Sequence, residues 1–321
     1  MSQTTYLGAI TATLAEAMRA DPQVLVLGED VAEGGPWGAT AGLAEEFGAE
    51  RVRSTPISEA AICGIAIGAA QSGLRPVVEI MFVDFVTLAL DQLVNQAAKA
   101  HFMSGGQLRV PMVLRTQGGA GQRGGAQHSQ SLEAWLTHVP GLKVVMPSTA
   151  ADAAGLLASA IADDNPVVYV ENKTLYFRSE DVEDAGAVPI GRAQVVRSGR
   201  DATVVALSRL VHESLAAAEE LAAEGIEVEV IDPRTLVPLD LDAIVESVAR
   251  THRLVVAHEA VEHGGFGAEL AAQVQAAAFD ELDAPVARVG APFTPIPFSP
   301  PLEDAYLPGR DDVARAVRSR L

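Results

Sequence analysis

The sequence predicts an α/β protein of two α/β domains with mostly parallel sheets. Three observations carry that prediction. Short, almost continuous apolar runs of strand length alternate with longer segments of helical periodicity. That is the pattern of parallel strands covered by helices on both faces. The chain has 321 residues, more than the roughly 100–200 expected of one domain. Apolar residues make up 49% of it but aromatics only 5%, so the core must be built from Ala, Val, Leu and Ile, which suit close helix-on-sheet packing.

In chain order, MSQTTYLGAITATLAEAMRAD places acids and polar groups at helical spacing, unlike a signal peptide or an Arg-rich transit peptide. VLVLGED at 24–30 reads as a buried strand ending in acids, and RPVVEIMF (75–82), VPMVLRT (110–116), LKVVMPS (142–148) and PVVYVEN (166–172) read the same way. Helical patterns lie between them at 58–73, 86–103, 130–138 and 149–164. The polar, periodless stretch 179–200 is expected to be a linker, dividing the chain into domains at 1–178 and 201–321. Beyond it the alternation resumes. ATVVALS, IEVEVIDP, RLVVAHEA and APVARVGAP have strand character, with helices at HESLAAAEELAAEG, LDAIVESVART and FGAELAAQVQAAAF. The Pro-rich PFTPIPFSPPLEDAYLPG is expected to be extended.

A net charge of −19 repels nucleic acid and anionic membranes, and no apolar run is long enough to span a bilayer. The single cysteine, Cys63, rules out an intrachain disulfide and a multi-cysteine zinc site, and reads as a small buried hydrophobe. These features together lead to the expectation of a cytoplasmic protein.

Ligand-facing groups in α/β sheets sit at the carboxyl ends of strands. That rule selects Glu29 and Asp30, Glu59, Asp84 and Phe85, the loop 116–129, and the segment from His258 to His263. Glu59 is the sharpest case. It heads EAAICGIAIGAAQSG, a segment with no other charge, and a helix apolar on every face is expected to be buried together with its head. A buried carboxylate without a partner rises in pKa, which suits it to giving a proton to a ligand. Its bland reading is a first-turn acid favoured by the helix dipole, behind Ser58 as an N-cap. The Gly-rich RTQGGAGQRGGAQHSQS (115–131) resembles a phosphate cradle but lacks the Lys-Ser/Thr of a P-loop. What it presents is His128, a candidate for acid/base work. Phe82 and Phe85 follow a strand and offer a flat aromatic face or core packing. Asp91, Asn95 and Lys99 then form a polar stripe at helical spacing. HEAVEHGGFGAEL has the wrong spacing for a dinucleotide loop and reads as packing or interface.

GED after the first strand, TPISE, GLRPVVEIMF, DQLVNQAAK, AQHSQSLEAW, PGLKVVMPST, DDNPVVYVENKTLY, DPRTLVPLD and HEAVEHGGFGAE occur in that order. Together they resemble the β subunit of the E1 component of 2-oxoacid dehydrogenase complexes, in the transketolase-like thiamine diphosphate family. The resemblance implies a pyrimidine-binding domain followed by a transketolase C-terminal-like domain. It implies that Glu59 hydrogen-bonds N1′ of the cofactor's aminopyrimidine, so that the 4′-imine can take the C2 proton. Phe85 would stack on the pyrimidine, with Ile57 and Met81 beside it. His128 would serve the reductive acylation of a lipoyl group on E2. Met112, Ala160, Ile161, Asp163 and Asn165 would form a potassium site, largely of backbone carbonyls. The chain contains no Gly-Asp-Gly, so the resemblance places the Mg²⁺ and diphosphate on an α subunit, within a heterotetramer of two α and two β chains. It favours pyruvate as the small-molecule 2-oxoacid. Acetoin and branched-chain enzymes, and the C-terminal half of a split transketolase, are the alternatives.

Overall fold

In the computed structural model the described residues are 2–182 and 186–321; residues 183–185 of the expected linker lie outside them. The chain divides into two compact units. One joins Met1–Gly118 with Trp135–Ile190, and the other joins Gly119–Ala134 with Gly191–Leu321.

The first unit is built on a parallel sheet. Its strands are β1 (Val24–Gly28), β2 (Val52–Ser54), β3 (Arg75–Ile80), β4 (Val113–Gly118), β5 (Lys143–Val145) and β6 (Val167–Asn172). They lie in the order β5-β6-β4-β3-β1-β2. The valine-rich runs of the sequence are the reason: β4 and β6 are buried at every residue. Val26, Val77, Val113, Val145 and Val167 form one core with the helices Tyr6–Ala20 and Ala150–Ala162. Both helices start on a threonine cap. The Thr5 hydroxyl accepts from the Gly8 N–H at 2.9 Å and the Thr149 hydroxyl from the Asp152 N–H at 3.1 Å, satisfying donors that helix starts otherwise leave orphaned.

The helix Glu59–Gln71 packs beside β3 and the segment that follows it. Here the structure departs from expectation. Ile62, Cys63, Ala66, Ile67 and Ala70 are buried, but Ala60, Ala61, Gly64, Ile65 and Gly68 face outward. Ile65 is 60% exposed, and Ile57 just before the helix 74%. The helix is therefore not buried on all faces within this chain: it has a second apolar face that the chain's own sheet does not cover. The Cys63 thiol is buried as expected, and burial pushes it up to about 12, with Glu59 adding to the effect. The expected helix 86–103 is also different. It is a 3₁₀ segment at Val83–Ala89, a π-helical turn at Gln92–Ala97 and a short α-helix at Ala98–Met103. Apolar periodicity does not separate these windings, because all three present side chains every three to five residues. The polar stripe on it is partnered: Asn95 donates to Asp91 at 2.7 Å and Lys99 to the Pro140 carbonyl at 2.5 Å.

The second unit has its own sheet: β7 (Gln194–Arg197), β8 (Ala202–Ala206), β9 (Val228–Asp232), β10 (Leu254–Val261) and β11 (Ala287–Ala291). The order is β11-β10-β8-β9-β7, with only β7 antiparallel to its neighbour. Val204, Val230, Val255 and Val289 meet Leu210, Leu221, Val313 and Val317 of the helices Arg209–Ala222 and Arg310–Arg318. The helices Leu241–Thr251 and Phe266–Ala278 pack together. A buried hydroxyl cluster ties the first of them to β8: Thr203 lies 2.6 Å from both Ser247 and Thr251. The Pro-rich stretch is not wholly extended, since Pro300–Tyr306 is a helix with proline in its first turn. Proline is tolerated there because the missing N–H would have had no helical acceptor. Among the described residues no helix is long and apolar enough to cross a membrane.

Candidate active site

The loops at the carboxyl ends of β2 and β3 carry the residues singled out in the sequence. Glu59 is the first residue of its helix and is half-buried. Ser58 sits at the N-cap but makes no side-chain cap bond, so the head of the helix is left to Glu59 and whatever binds there. Glu29, after β1, has its carboxyl raised by burial and then by the like charges of Asp30 and Glu59. Three acids thus crowd one corner. Met81 directly follows β3, and Phe85 lies in the 3₁₀ segment after it; both are half-buried. The Phe85 ring meets Phe82 edge-on, with centroids 5.8 Å apart, and the buried ammonium of Lys173 stands 5.1 Å from the Phe82 centroid, a cation–π contact. Phe85 is thereby fixed against Phe82 while staying partly open. An acid at a helix head and a fixed, accessible aromatic, each following a strand of the same sheet, are the group types that could receive the pyrimidine half of thiamine diphosphate. No group of three or more His, Cys, Asp or Glu side chains among the described residues is arranged to hold a metal ion.

Behind this corner lies a charge network that sequence reasoning missed. Arg115 of β4 is fully buried and pairs with Glu79 of β3 at 2.8 Å and Glu171 of β6 at 2.8 Å. Glu171 also accepts from the Tyr176 hydroxyl at 2.5 Å. Burial opposes the Arg115 charge, but Glu171 and Glu79 outweigh it and hold the guanidinium protonated. Gly35, with φ +69°, leaves room for Glu79, since a Cβ there would come within 2.8 Å of the carboxylate. The signal was present as a lone charge in each of three apolar runs, VVEIMF, MVLRT and VVYVEN. Parallel register sets Glu79 directly opposite Arg115.

The five residues of the expected potassium site gather where the helix Ala150–Ala162 ends and β6 begins. The Ile161 and Asp163 carbonyls accept from Arg75 at 2.8 and 2.7 Å, the Ala160 carbonyl from the Asp163 N–H at 3.3 Å, and the Met112 carbonyl from the Val167 N–H at 3.0 Å. The Asp163 carboxylate is paired with Lys143 and accepts from Asn165. Each carbonyl keeps a second lone pair, and a helix C-terminus carries partial negative charge. Carbonyl oxygens are the donor type that a monovalent cation takes, and the Arg75 guanidinium already takes two of them here.

His128 belongs to the second unit, as does the whole segment Gly119–Ala134. The glycines explain its course: Gly119, Gly121 and Gly125 have φ of 90°, 97° and 68°, and Arg123 shares the left-handed region at 58°. Such a turn points successive N–H groups inward to make an anion nest. The nest is filled from within the chain. Glu303, with no exposed side-chain surface, accepts from the Gly121 N–H at 2.8 Å, the Arg123 N–H at 3.1 Å and the Arg123 guanidinium at 2.7 Å. Glu259, at the end of β10, accepts from the Ala120 N–H at 2.5 Å and from Arg209 at 2.8 Å. The cradle suggested by the glycine pattern is real, but it holds a carboxylate. At the far end of the loop, burial pushes the Glu133 carboxyl up to about 7, and the charge of Glu259 adds to the rise. His128 itself is half-buried.

The segment expected to be packing or interface is buried along most of β10 and exposed at residues 262–264. His258 is fully buried on β10, and its Nδ1–H donates to the Ala260 carbonyl at 3.1 Å. Its ring is walled by Gly265, Gly267 and Gly290, and a Cβ on Gly267 would lie 2.6 Å from Nε2. Burial lowers its pKa to about 4, with Arg288 adding to the effect. The unfolded chain takes up this proton near 6.5 and the folded chain only near 4, so stability falls as pH drops through that window. The expected loss is up to about 3 kcal/mol. Glu133 runs the other way, adding stability below about 4.5 that is lost as pH rises toward 7. Denaturant titrations of His258→Asn beside the parent isolate the histidine: the difference in stability between them should change by more than about 1 kcal/mol from pH 7 to pH 4.5. Parallel pH profiles would show that His258 is not held neutral.

Comparisons with known proteins bear on the fold and the family. The family model described as the transketolase pyrimidine-binding domain matches residues 2–178, and that of the transketolase C-terminal domain matches 191–313. The chain is 47% identical over 322 residues to the pyruvate dehydrogenase E1 component subunit beta of Rhizobium meliloti (strain 1021), covering 99% of this chain and 70% of the relative. It is also 47% identical over 319 residues to the acetoin:2,6-dichlorophenolindophenol oxidoreductase subunit beta of Bacillus subtilis (strain 168), covering 95% and 93%. Among solved structures, a split gene transketolase described as an inactive beta4 tetramer superposes with TM-score 0.81 at 27% identity over 98% of this chain and 96% of that one. Transketolase from Leishmania mexicana shares the fold at TM-score 0.75 and 20% identity, and this chain spans 46% of its length.

Proposed function

The chain belongs to the transketolase-like E1 β subunits of 2-oxoacid dehydrogenase complexes, and from that membership we propose that it forms half of a thiamine diphosphate site acting on pyruvate. The observation that carries the proposal is the placing of Glu59 at a helix head and of Met81 and Phe85 just after β3, beyond the carboxyl ends of strands of one parallel sheet. On this reading residues 1–178 make the pyrimidine-binding domain and 201–321 the C-terminal domain, and the connecting stretch 179–200 supplies β7 to the second sheet. Thiamine diphosphate supplies, when bound, the electron sink for decarboxylation. Glu59 holds and returns a proton at N1′ of its pyrimidine. Phe85, Met81 and Ile57 hold the ring flat and keep water away. Mg²⁺ and the diphosphate are held by an α subunit, in a cytoplasmic heterotetramer whose acyl acceptor is lipoyl-E2. The carbonyls of Met112, Ala160, Ile161, Asp163 and Asn165 take potassium.

His128 delivers a proton to the sulfur released when the lipoyl disulfide opens. In the assembled enzyme His128→Ala should cut acyl transfer to a lipoyl domain about 10²-fold or more and change dye-linked pyruvate turnover far less. Equal losses in both assays would remove His128 from the transfer step. The substrate is tested on the same assembly, with pyruvate and thiamine diphosphate reducing an artificial electron acceptor. Acetoin is the second reading, favoured by the equally similar acetoin-oxidising relative. Turnover of acetoin but not pyruvate would select it, and transfer between sugar phosphates alone would overturn both.

A further inference from the structure

The machinery proposed for acyl transfer is a single histidine on a loop, and such a loop is useless if it moves. We infer that Glu303, a residue of the short helix Pro300–Tyr306, is the positioning residue that holds the Gly119–Ala134 loop and so sets His128 for transfer to the lipoyl group. The inference rests on the reading of His128 given above.

Four features of the site support it. Glu303 is fully buried, and it accepts from donors near the loop's apex: two backbone N–H groups and the Arg123 guanidinium. A charged acceptor with three donors is among the stronger polar contacts a protein makes. The backbone at Gly121 and Arg123 is left-handed, a course that Arg adopts only where the surroundings enforce it. The helix carrying Glu303 is itself tied back, since Arg123 also donates to the Pro300 carbonyl at 3.2 Å and pairs with Asp304 at 2.7 Å. Phe298, just before that helix, lies against Gly125, where a Cβ would be 3.5 Å from its ring. Gly125 in turn accepts a backbone bond from His128 at 3.5 Å. The path from Glu303 to His128 therefore runs through five residues of one loop. The second carboxylate, Glu259, pins the loop's first turn at Ala120. Glu303 holds the apex.

The test uses the enzyme assembled with its α subunit, with two variants. Glu303→Gln is nearly isosteric and keeps the fold, but offers a donor where the loop already presents donors. Glu303→Ala removes the acceptor. Amide hydrogen exchange of residues 119–131 is read alongside two activities, pyruvate-dependent dye reduction and acetyl transfer to a lipoyl domain. The expected result is loop exchange at least tenfold faster in both variants, acetyl transfer down tenfold or more, and dye reduction within about threefold of the parent. Adding either change to His128→Ala should cost nothing further in acetyl transfer. Unchanged loop exchange in Glu303→Gln overturns the clamp whatever His128 does. Faster exchange with acetyl transfer intact overturns its role in transfer. If His128→Ala alone leaves transfer intact, it is the His128 reading that fails, and the positioning role with it.

Discussion

Glu59→Gln, assembled with its α partner, is expected to lose about 10²–10⁴-fold in kcat while keeping fold and assembly, the range that a positioned acid or base contributes. The amide occupies the same space but cannot give a proton to a pyrimidine nitrogen. Removing the charge from a helix first turn costs about 0.3–1 kcal/mol. Part of that is offset locally, because Glu59 is one of the charges that raise the Glu29 carboxyl. The variant should therefore melt close to the parent, and the Glu29 carboxyl should fall toward its ordinary range. Near-normal turnover in an assembly of verified stoichiometry would mean that another group supplies the proton.

Arg115→Met should destabilise the first unit by about 3–5 kcal/mol, a large share of the 5–15 kcal/mol that keeps a typical domain folded. The substitution removes the guanidinium from between Glu79 and Glu171, both almost fully buried, and leaves two carboxylates facing each other without a cation. The sign of the interaction is tested by adding Glu79→Gln and Glu171→Gln to Arg115→Met. Neutralising the network should return most of the loss, because breaking a buried pair costs more than replacing it whole. Chemical denaturation of the parent, single and triple variants measures this. A single-variant loss under about 1 kcal/mol would mean that water reaches the carboxylates and the network is not a structural brace.

What the sequence revealed and what it hid divide along physical lines. The strands were legible because parallel strands covered on both faces are mostly apolar, and β4 and β6 are buried at every residue, their few charges paired inside the sheet. Glu59 and Phe85 were singled out by position alone, because the carboxyl end of a strand is itself a signal. The windings between 83 and 103 were not, because 3₁₀, π and α segments share nearly the same apolar spacing. The openness of the helix Glu59–Gln71 was hidden for a different reason. Composition tells that a face is apolar, but not whether this chain or another covers it. The Glu79–Arg115–Glu171 network needed strand register, which a single run cannot supply. The Gly-rich loop looked like a site for a foreign anion, because nothing local to residues 115–131 points to a carboxylate at 303.

That last contact has a bearing on how this protein can be recombined. The loop carrying His128 is encoded within the first half of the gene, yet its backbone is held by Glu259 and Glu303 from the second. A chimera spliced once near residue 190, at the obvious boundary, would inherit the histidine from one parent and its supports from the other. A hybrid that respects the physical units must instead be cut three times, so that 119–134 travels with 191–321. The same geometry ties any change in residues 119–134 to its supports in the C-terminal half, across about 180 residues of intervening chain.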